Sequence, residues 1–567
     1  MKIYENYLSG SRILTVVFIL YLGTRVTAAI YFVPQNDEVN FIQYSMLMAR
    51  DWQKYKYMSL DGTVSVWGDR TIEYKQPLQF WLNSLTVDFW KNPLVGGRAW
   101  GVVFGFFGIF FTQLLITKIW DKQAGIISTV FITFSSFYLF FDSVWYTEVF
   151  VYGLGAVFIY VLYQFLLSNR WEFGVFAGFL LLGVLLMKGT GLLWIGHALI
   201  VPIFVFANQS KSMTEIMHKV KSRGRIILGK TLLLIILVKI VHYILIDWRF
   251  SEHYHASYQS RLQMNLSEIL EFPFNQWINN ISFFFYGVFQ REFALFTVPV
   301  VGFLTFTFSW LMLREKILFL KFCAVLGMFF ISFMPAVLVA KNNVIHYFGT
   351  GLYYAYALIA MGMSVFLGHY SRKRWADLAM LTAGLGLCWS GAMSLSDTVR
   401  WGQSEISMAR TPPGQGNGSG IMEMINYVSK LPPSILIADP QWGHPITALQ
   451  IFHERYFPHV DYKHWPLQAD GIELYFRKAY RKGVPLYFLA DPRSPGERPQ
   501  IDFILNSKLY CAEKHVILKR YRGRVLPGTS IAICQSDMEK LKNRYDKFSD
   551  FCLRYQDELP ELCSSQK

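Results

Sequence analysis

The stretch YFVPQNDEVNFIQYSMLMARDW, residues 31–52, decides how this chain is read, together with TIEYKQPLQFW at 71–81. An apolar segment at 11–33, long enough to cross a bilayer, leads into it. Two acids, Asp37 and Glu38, sit just past the end of that segment. Residues 39–51 are apolar on one helical face, the pattern of a helix lying in the membrane interface. A polar run follows, then Lys75, Gln76, Pro77 and Leu78, and an aromatic pair ending at Trp81. The loop therefore puts two carboxylates and a cation at one face of a membrane, and it is too long to be a mere connector. Carboxylates held at headgroup depth can take a proton from an acceptor hydroxyl or orient it. The structural alternative is that Asp37 and Glu38 mark the polar end of a span and cap the next helix.

Composition agrees with a membrane chain. The 567 residues are 53% hydrophobic, 17% aromatic and only 16% charged, with a mean hydropathy of +0.28. A soluble domain carries more charge. Apolar runs at 11–33, 96–117, 122–140, 144–167, 172–187, 190–207, 226–246, 294–313, 317–340, 346–369 and 376–395 read as about eleven spans. The first is expected to stay in the protein, since it is long and no small-residue cleavage site precedes Asp37. Positive charge gathers in alternate loops, at Lys118 and Lys122, at Arg170, from Lys211 to Arg225, from Arg314 to Lys321, and from Arg372 to Arg374. Placed on the cytoplasmic side, these loops put Asp37, Lys75, the 247–293 loop and everything after 395 outside. The net charge of +15 is then partly topological. No soluble basic module stands out, so nucleic acid is not an expected partner.

Beyond 395 the composition changes. Residues 396–420, with TPPGQGNGSG, read as a linker, and 421–567 as a compact soluble domain outside the membrane. Apolar runs at Ser434–Ala438 and Pro485–Ala490 read as strands, with helical patterns near 442–453 and 469–481 between them, a small α/β domain. Cys511, Cys534, Cys552 and Cys563 all fall there, an even number suited to an oxidising space. Pairing of Cys511 with Cys534 and of Cys552 with Cys563 would close short loops. Cys323 and Cys388 lie in expected spans and read as core residues.

The motifs of the first loop resemble those of the GT-C glycosyltransferases, in the group of the dolichyl-phosphate-mannose protein mannosyltransferases and the aminoarabinose lipid A transferases. That family carries an Asp-Glu pair and a Lys-Pro-Pro-Leu-like motif in its first outer loop. The match here is Asp37-Glu38 and Lys75-Gln76-Pro77-Leu78, with Gln76 where the first Pro is usual. The resemblance covers residues 11 to about 395 and implies a polytopic α-helical membrane domain at 1–395, followed by the extracytoplasmic α/β domain. It implies Asp37 as the catalytic base, with Glu38 tuning or positioning it. Glu148, at the outer start of the fourth span, matches a second family acid, with Asp142 as the runner-up. Lys75 is aimed at the leaving phosphate, where growing negative charge asks for cations. Arg98 matches a family Arg, although an anchoring side chain is an equal alternative. Lys188, in LLMKGTG, resembles the family's Lys-Gly hairpin, and His346 with Tyr347 a segment before a late span. Lys75, Arg98, Asp142, Lys188, His346 and Tyr347 are assigned to substrate, and Glu148 to catalysis beside Asp37 and Glu38.

The function implied is transfer of a sugar from a polyprenyl-phosphate donor to an envelope acceptor, a membrane lipid, a glycan or a protein, at the outer face of the plasma membrane (the inner membrane of a bacterium). The cofactor question stays open: a divalent metal is compatible, but no ligand set is assigned. His253 and His255 in the 247–293 loop lack a third ligand at suitable spacing. Two alternatives from other classes remain. One is a transporter or flippase of lipid-linked sugars, with Lys239 and His242 lining a pathway. The other is an inactive lipid-binding scaffold, which the Gln76 substitution keeps open.

Overall fold

A computed structural model of the chain describes residues 2–32, 36–57, 76–248, 274–282, 297–338, 348–370, 421–438, 444–464, 469–490, 505–521 and 524–545, with a few single residues between. The chain opens with two helices, α1 (Lys2–Tyr31) and α2 (Asn36–Arg50), the second carrying Asp37 and Glu38. Behind them come α3 (Trp52–Tyr55), α4 (Leu78–Ser84), α5 (Pro93–Ile119), α6 (Lys122–Phe134), α7 (Ser136–Phe141), α8 (Thr147–Ser168), α9 (Trp171–Met187), α10 (Leu193–Asn208) and α11 (Met213–His242). The later described helices of the bundle are α12 (Phe274–Ser282), α13 (Thr297–Arg314), α14 (Lys316–Leu338) and α15 (Gly349–Tyr370). Among the described residues, eight helical stretches are long and apolar enough to cross a membrane, and α9 is a shorter apolar one. They coincide with the expected spans. The expected span at 122–140 is broken at Ser135, whose extended backbone ends α6 and whose hydroxyl caps the start of α7. The expected span at 376–395 lies largely outside the described residues.

Local chemistry sets the helix ends. Asn92 accepts from the Leu94 amide with Pro93 at the first position, Asp121 accepts from Ala124, and Ser212 from Glu215. Asn169, at φ 60°, closes α8 with a left-handed residue. Large apolar side chains such as Val16, Ile19, Leu233, Ile236 and Leu237 stay exposed on α1 and α11. In water such a surface would be a liability, whereas against lipid it is the expected outer wall.

Small residues bring α5 against the segment that follows α7. Gly97, Gly101 and Gly105 recur every fourth residue along α5. A Cβ on Gly97 would meet the Trp145 ring at 2.5 Å, and one on Gly105 the Asp142 carboxyl carbon at 2.7 Å. Glycine is therefore required for this close approach, which fixes Asp142 and Trp145 against α5.

The C-terminal unit holds α16 (Ile421–Val428), β1 (Ser434–Ala438), α17 (His444–Tyr456), β2 (Val460–His464), α18 (Ala469–Lys482), β3 (Leu486–Ala490), β4 (Glu513–Tyr521), β5 (Arg524–Gln535) and α19 (Met538–Tyr545). The sheet order is β2-β1-β3-β5-β4, with β1 parallel to β2 and β3, and β5 antiparallel to β3 and β4. The expected strands and helices are all present. Cys511 and Cys534 form the expected disulfide. Cys552 and Cys563 lie outside the described residues.

Candidate active site

Helix α2 starts at Asn36, so Asp37 stands in its first turn, where the helix dipole favours an anion. The Asp37 side chain lies outside the described residues. Its neighbour Glu38 is wholly buried, and both its oxygens engage Arg98: Nε donates to Oε1 at 2.7 Å and Nη2 to Oε2 at 2.8 Å. Arg98 Nη1 also donates to the carbonyls of Ala29 and Phe32 at 2.7 and 2.8 Å, at the end of α1. The Trp145 amide donates to Glu38 Oε1 at 3.1 Å. A bidentate, charge-assisted pair of this kind is strong and directional. It ties the end of α1, the start of α2, α5 and the segment before α8 into one unit. Glu38 and Arg98, reached separately from the sequence, are thus partners.

Glu148 and Lys188 also meet. Glu148 stands in the first turn of α8 and Lys188 at the end of α9, and they form an ion pair. The Lys188 side chain is 25% exposed against 9% for Glu148, so the cation is the accessible member. Thr147 donates its hydroxyl to Gln79 Oε1 at 2.8 Å. Gln79 and Gln76 are buried, and the short α4 they begin packs through Phe80 on Phe41 and Tyr44 of α2. The chain that leaves Lys75 is thereby anchored beside Glu148 and under α2. Lys75 itself, like His346 and Tyr347, lies outside the described residues.

Asp142 faces elsewhere. It is wholly buried and accepts from the hydroxyls of Tyr21 at 2.6 Å and of Tyr152, with Arg25 Nε at 3.8 Å. Arg25 also donates to the carbonyls of Thr133 and Ile132 at the end of α6. Sequence reasoning missed Arg25, although a cation inside an apolar span is a signal in itself. It also missed Glu292, which is buried and accepts from the Phe137 amide at 3.1 Å and from the Tyr356 hydroxyl. Lys239 and His242 lie together as read, and Asp247 joins them, with Lys239 Nζ at 2.9 Å and His242 Nδ1 at 3.3 Å. Among the described residues, no group of three or more His, Cys, Asp or Glu is placed to hold a metal ion.

The arrangement sets one carboxylate–cation pair at the first turn of α2, where Asp37 also stands, and a second beside α4, which packs on α2. One pair is sealed and the other opens through its cation. Such a site can present a base to a hydroxyl and positive charge to a phosphate.

No protein-family profile matches the chain, and no curated protein matches it in sequence. In architecture it is similar to ArnT from Cupriavidus metallidurans. Against the apo crystal structure the TM-score is 0.50 at 11% identity, over 95% of this chain and 99% of that one. Against the structure bound to undecaprenyl phosphate it is 0.51 at 10% identity, over 93% and 97%. The fold is of the GT-C type, a helical membrane bundle with a small C-terminal sheet, as the first-loop motifs implied.

Proposed function

We propose that the chain is an integral-membrane glycosyltransferase that moves a sugar from a polyprenyl phosphate to an envelope acceptor at the outer face. The observation that carries this reading is the Glu148–Lys188 pair, set beside α4, which follows Lys75 and packs on the helix whose first turn holds Asp37. The likeness to a structure whose ligand is undecaprenyl phosphate supports the donor class. In the proposed step the acceptor oxygen attacks the anomeric carbon and its proton passes to Asp37. The bond from that carbon to the phosphate oxygen breaks, and the lipid phosphate leaves with the electron pair. One displacement inverts the anomeric centre. Lys188, and Lys75 by its place in the chain, would meet the phosphate as its charge grows, which lowers the barrier because that charge is largest in the transition state. Glu148 holds Lys188 in place, and Glu38, engaged by Arg98, keeps the start of α2 fixed.

The outer placement rests on the basic loops and on the packing of α17 against α2, which puts the C-terminal sheet on the Asp37 side of the bundle. The test is transfer or hydrolysis of a labelled sugar from a polyprenyl phosphate by purified protein, with Asp37→Asn as control. Turnover that depends on Asp37 is expected; the absence of any transfer with a panel of polyprenyl-phosphate sugars and envelope acceptors would overturn the reading.

A further inference from the structure

We infer that helix α17 of the C-terminal unit is a clamp that sets the spacing between the acidic helix α2 and the turn leading into α5, and so positions the two halves of the site. Gln43 of α2 donates to Gln450 of α17 at 2.6 Å, and Arg50 pairs with Glu454 at 2.5 Å. The next residue, Arg455, reaches the other way. It donates to the Val87 carbonyl at 3.1 Å and also binds the Trp90 carbonyl and the Asp88 carboxylate. The 87–90 turn joins α4, which follows Lys75, to α5, which carries Arg98. One helix therefore grips the element bearing Asp37 and Glu38 and the turn that leads into the element bearing Arg98.

The contacts are unequal. Arg50 and Glu454 are 49% and 58% exposed, and a surface pair of this kind contributes little. Arg455 is 17% exposed and satisfies two carbonyls and a carboxylate, so it is the fastening. Apolar packing continues the grip: Phe41, Ile42 and Met46 of α2 share one buried cluster with Leu449 and Phe452 of α17. Arg455 and Gln450 are positioning residues, since they act through α2 and the 87–90 turn. A misplacement of about 1 Å can cost on the order of a hundredfold in rate. The kinetic consequence rests on the proposed transferase reading; the mechanical one does not.

The experiment compares the full-length parent, Arg455→Ala and Arg455→Lys, each normalised to folded protein by size exclusion in detergent. In Arg455→Ala, amide exchange along residues 36–50 is expected to quicken. Its kcat should fall about tenfold, with the KM for the donor changed by less than about twofold, as expected when geometry rather than donor contact is lost. Lys should recover only part, because a point charge does not replace the guanidinium fork. Unchanged exchange and unchanged kcat in folded Arg455→Ala would overturn the clamp. Should that variant fail to fold, Gln43→Cys with Gln450→Cys gives the same answer. The cross-linked form should keep its turnover and its slow exchange in α2, and loss of turnover on cross-linking would refute the inference. If the parent transfers no sugar, the functional reading falls, and exchange in α2 still decides the clamp.

Discussion

At the scale of single residues, burial and charge separate roles that the sequence lists side by side. Glu38 and Arg98 are sealed and bidentate, so removing either strands a buried charge. Breaking such a pair costs about 3–5 kcal/mol. Glu38→Ala and Arg98→Ala are therefore expected to lose thermal stability in detergent by many degrees, and a melting point within a degree or two of the parent would contradict the pairing. Glu148 and Lys188 differ, because Lys188 is open on one side. Lys188→Ala should keep most of the fold and lose transfer by about a hundredfold, the usual size of a lost oxyanion-type contact. Kinetics with donor and acceptor varied separately check this: a variant slowed only in acceptor use would remove Lys188 from the phosphate side. The candidate positions were legible. Asp37, Glu38, Arg98, Glu148 and Lys188 are acids and bases at the ends of apolar runs, where their types stand out. The pairings were not, because Glu38 with Arg98 and Glu148 with Lys188 join positions far apart in the chain, and one sequence carries no record of proximity. Arg25 was missed because its span reads as apolar overall, and Glu292 because it falls in an aromatic stretch of sequence with no period.

Elements show the same division. The long helices were readable because runs of about twenty apolar residues have few other fates in a chain this poor in charge. The break at Ser135 was not, because its sequence continues apolar through SSFYLFF and only the Ser135 cap marks the turn. In the C-terminal unit, β1 and β3 were readable as buried apolar runs, while β2, β4 and β5 escaped. β2 is VDYKH, with no apolar run, β4 has only Val516, Ile517 and Leu518 between charged residues, and β5 contains Pro527 and Gly528. β2 also carries an acid-sensitive contact. Burial pushes the Asp461 carboxyl up, but hydrogen bonds from Lys478 and Lys463 outweigh it and hold the group below its ordinary range. A carboxyl depressed in the folded state adds stability above its unfolded pKa, about 4, and loses it as pH falls through the folded value. Acid unfolding of the parent should therefore steepen below pH about 4, and Asp461→Asn should flatten that limb. Superimposable acid limbs would show that the contact adds nothing to the pH dependence. On the close-packed α5, Gly97→Ala should displace the Trp145 ring, and with it the amide that holds Glu38. A loss of both stability and turnover is expected, and unchanged values for both would mean that the ring can move aside freely.

At the scale of the whole molecule, function depends on which side of the membrane each part occupies. Basic residues cluster in the loops between α5 and α6, between α8 and α9, along the start of α11, between α13 and α14, and after α15. Long segments with acids and aromatics fill the alternate positions. If the basic loops are cytoplasmic, the end of α1, the whole of α2 and the start of α8 lie outside, and the packing of α17 on α2 carries the C-terminal sheet to the same side. The Cys511–Cys534 disulfide accords with an oxidising space there, and it closes a loop over a sequence separation of 23. A link over a loop of that size contributes about 3 kcal/mol in the chain-entropy view. Topology and redox state are therefore linked observables. Reporter fusions at Ser59 and at Ser404 should both read external, and non-reducing peptide mapping should recover Cys511 joined to Cys534. A cytoplasmic signal at either site would place Asp37 and the C-terminal unit on opposite faces. That arrangement is incompatible with Arg455 reaching the 87–90 turn, and it would remove the outer-face site and the clamp together.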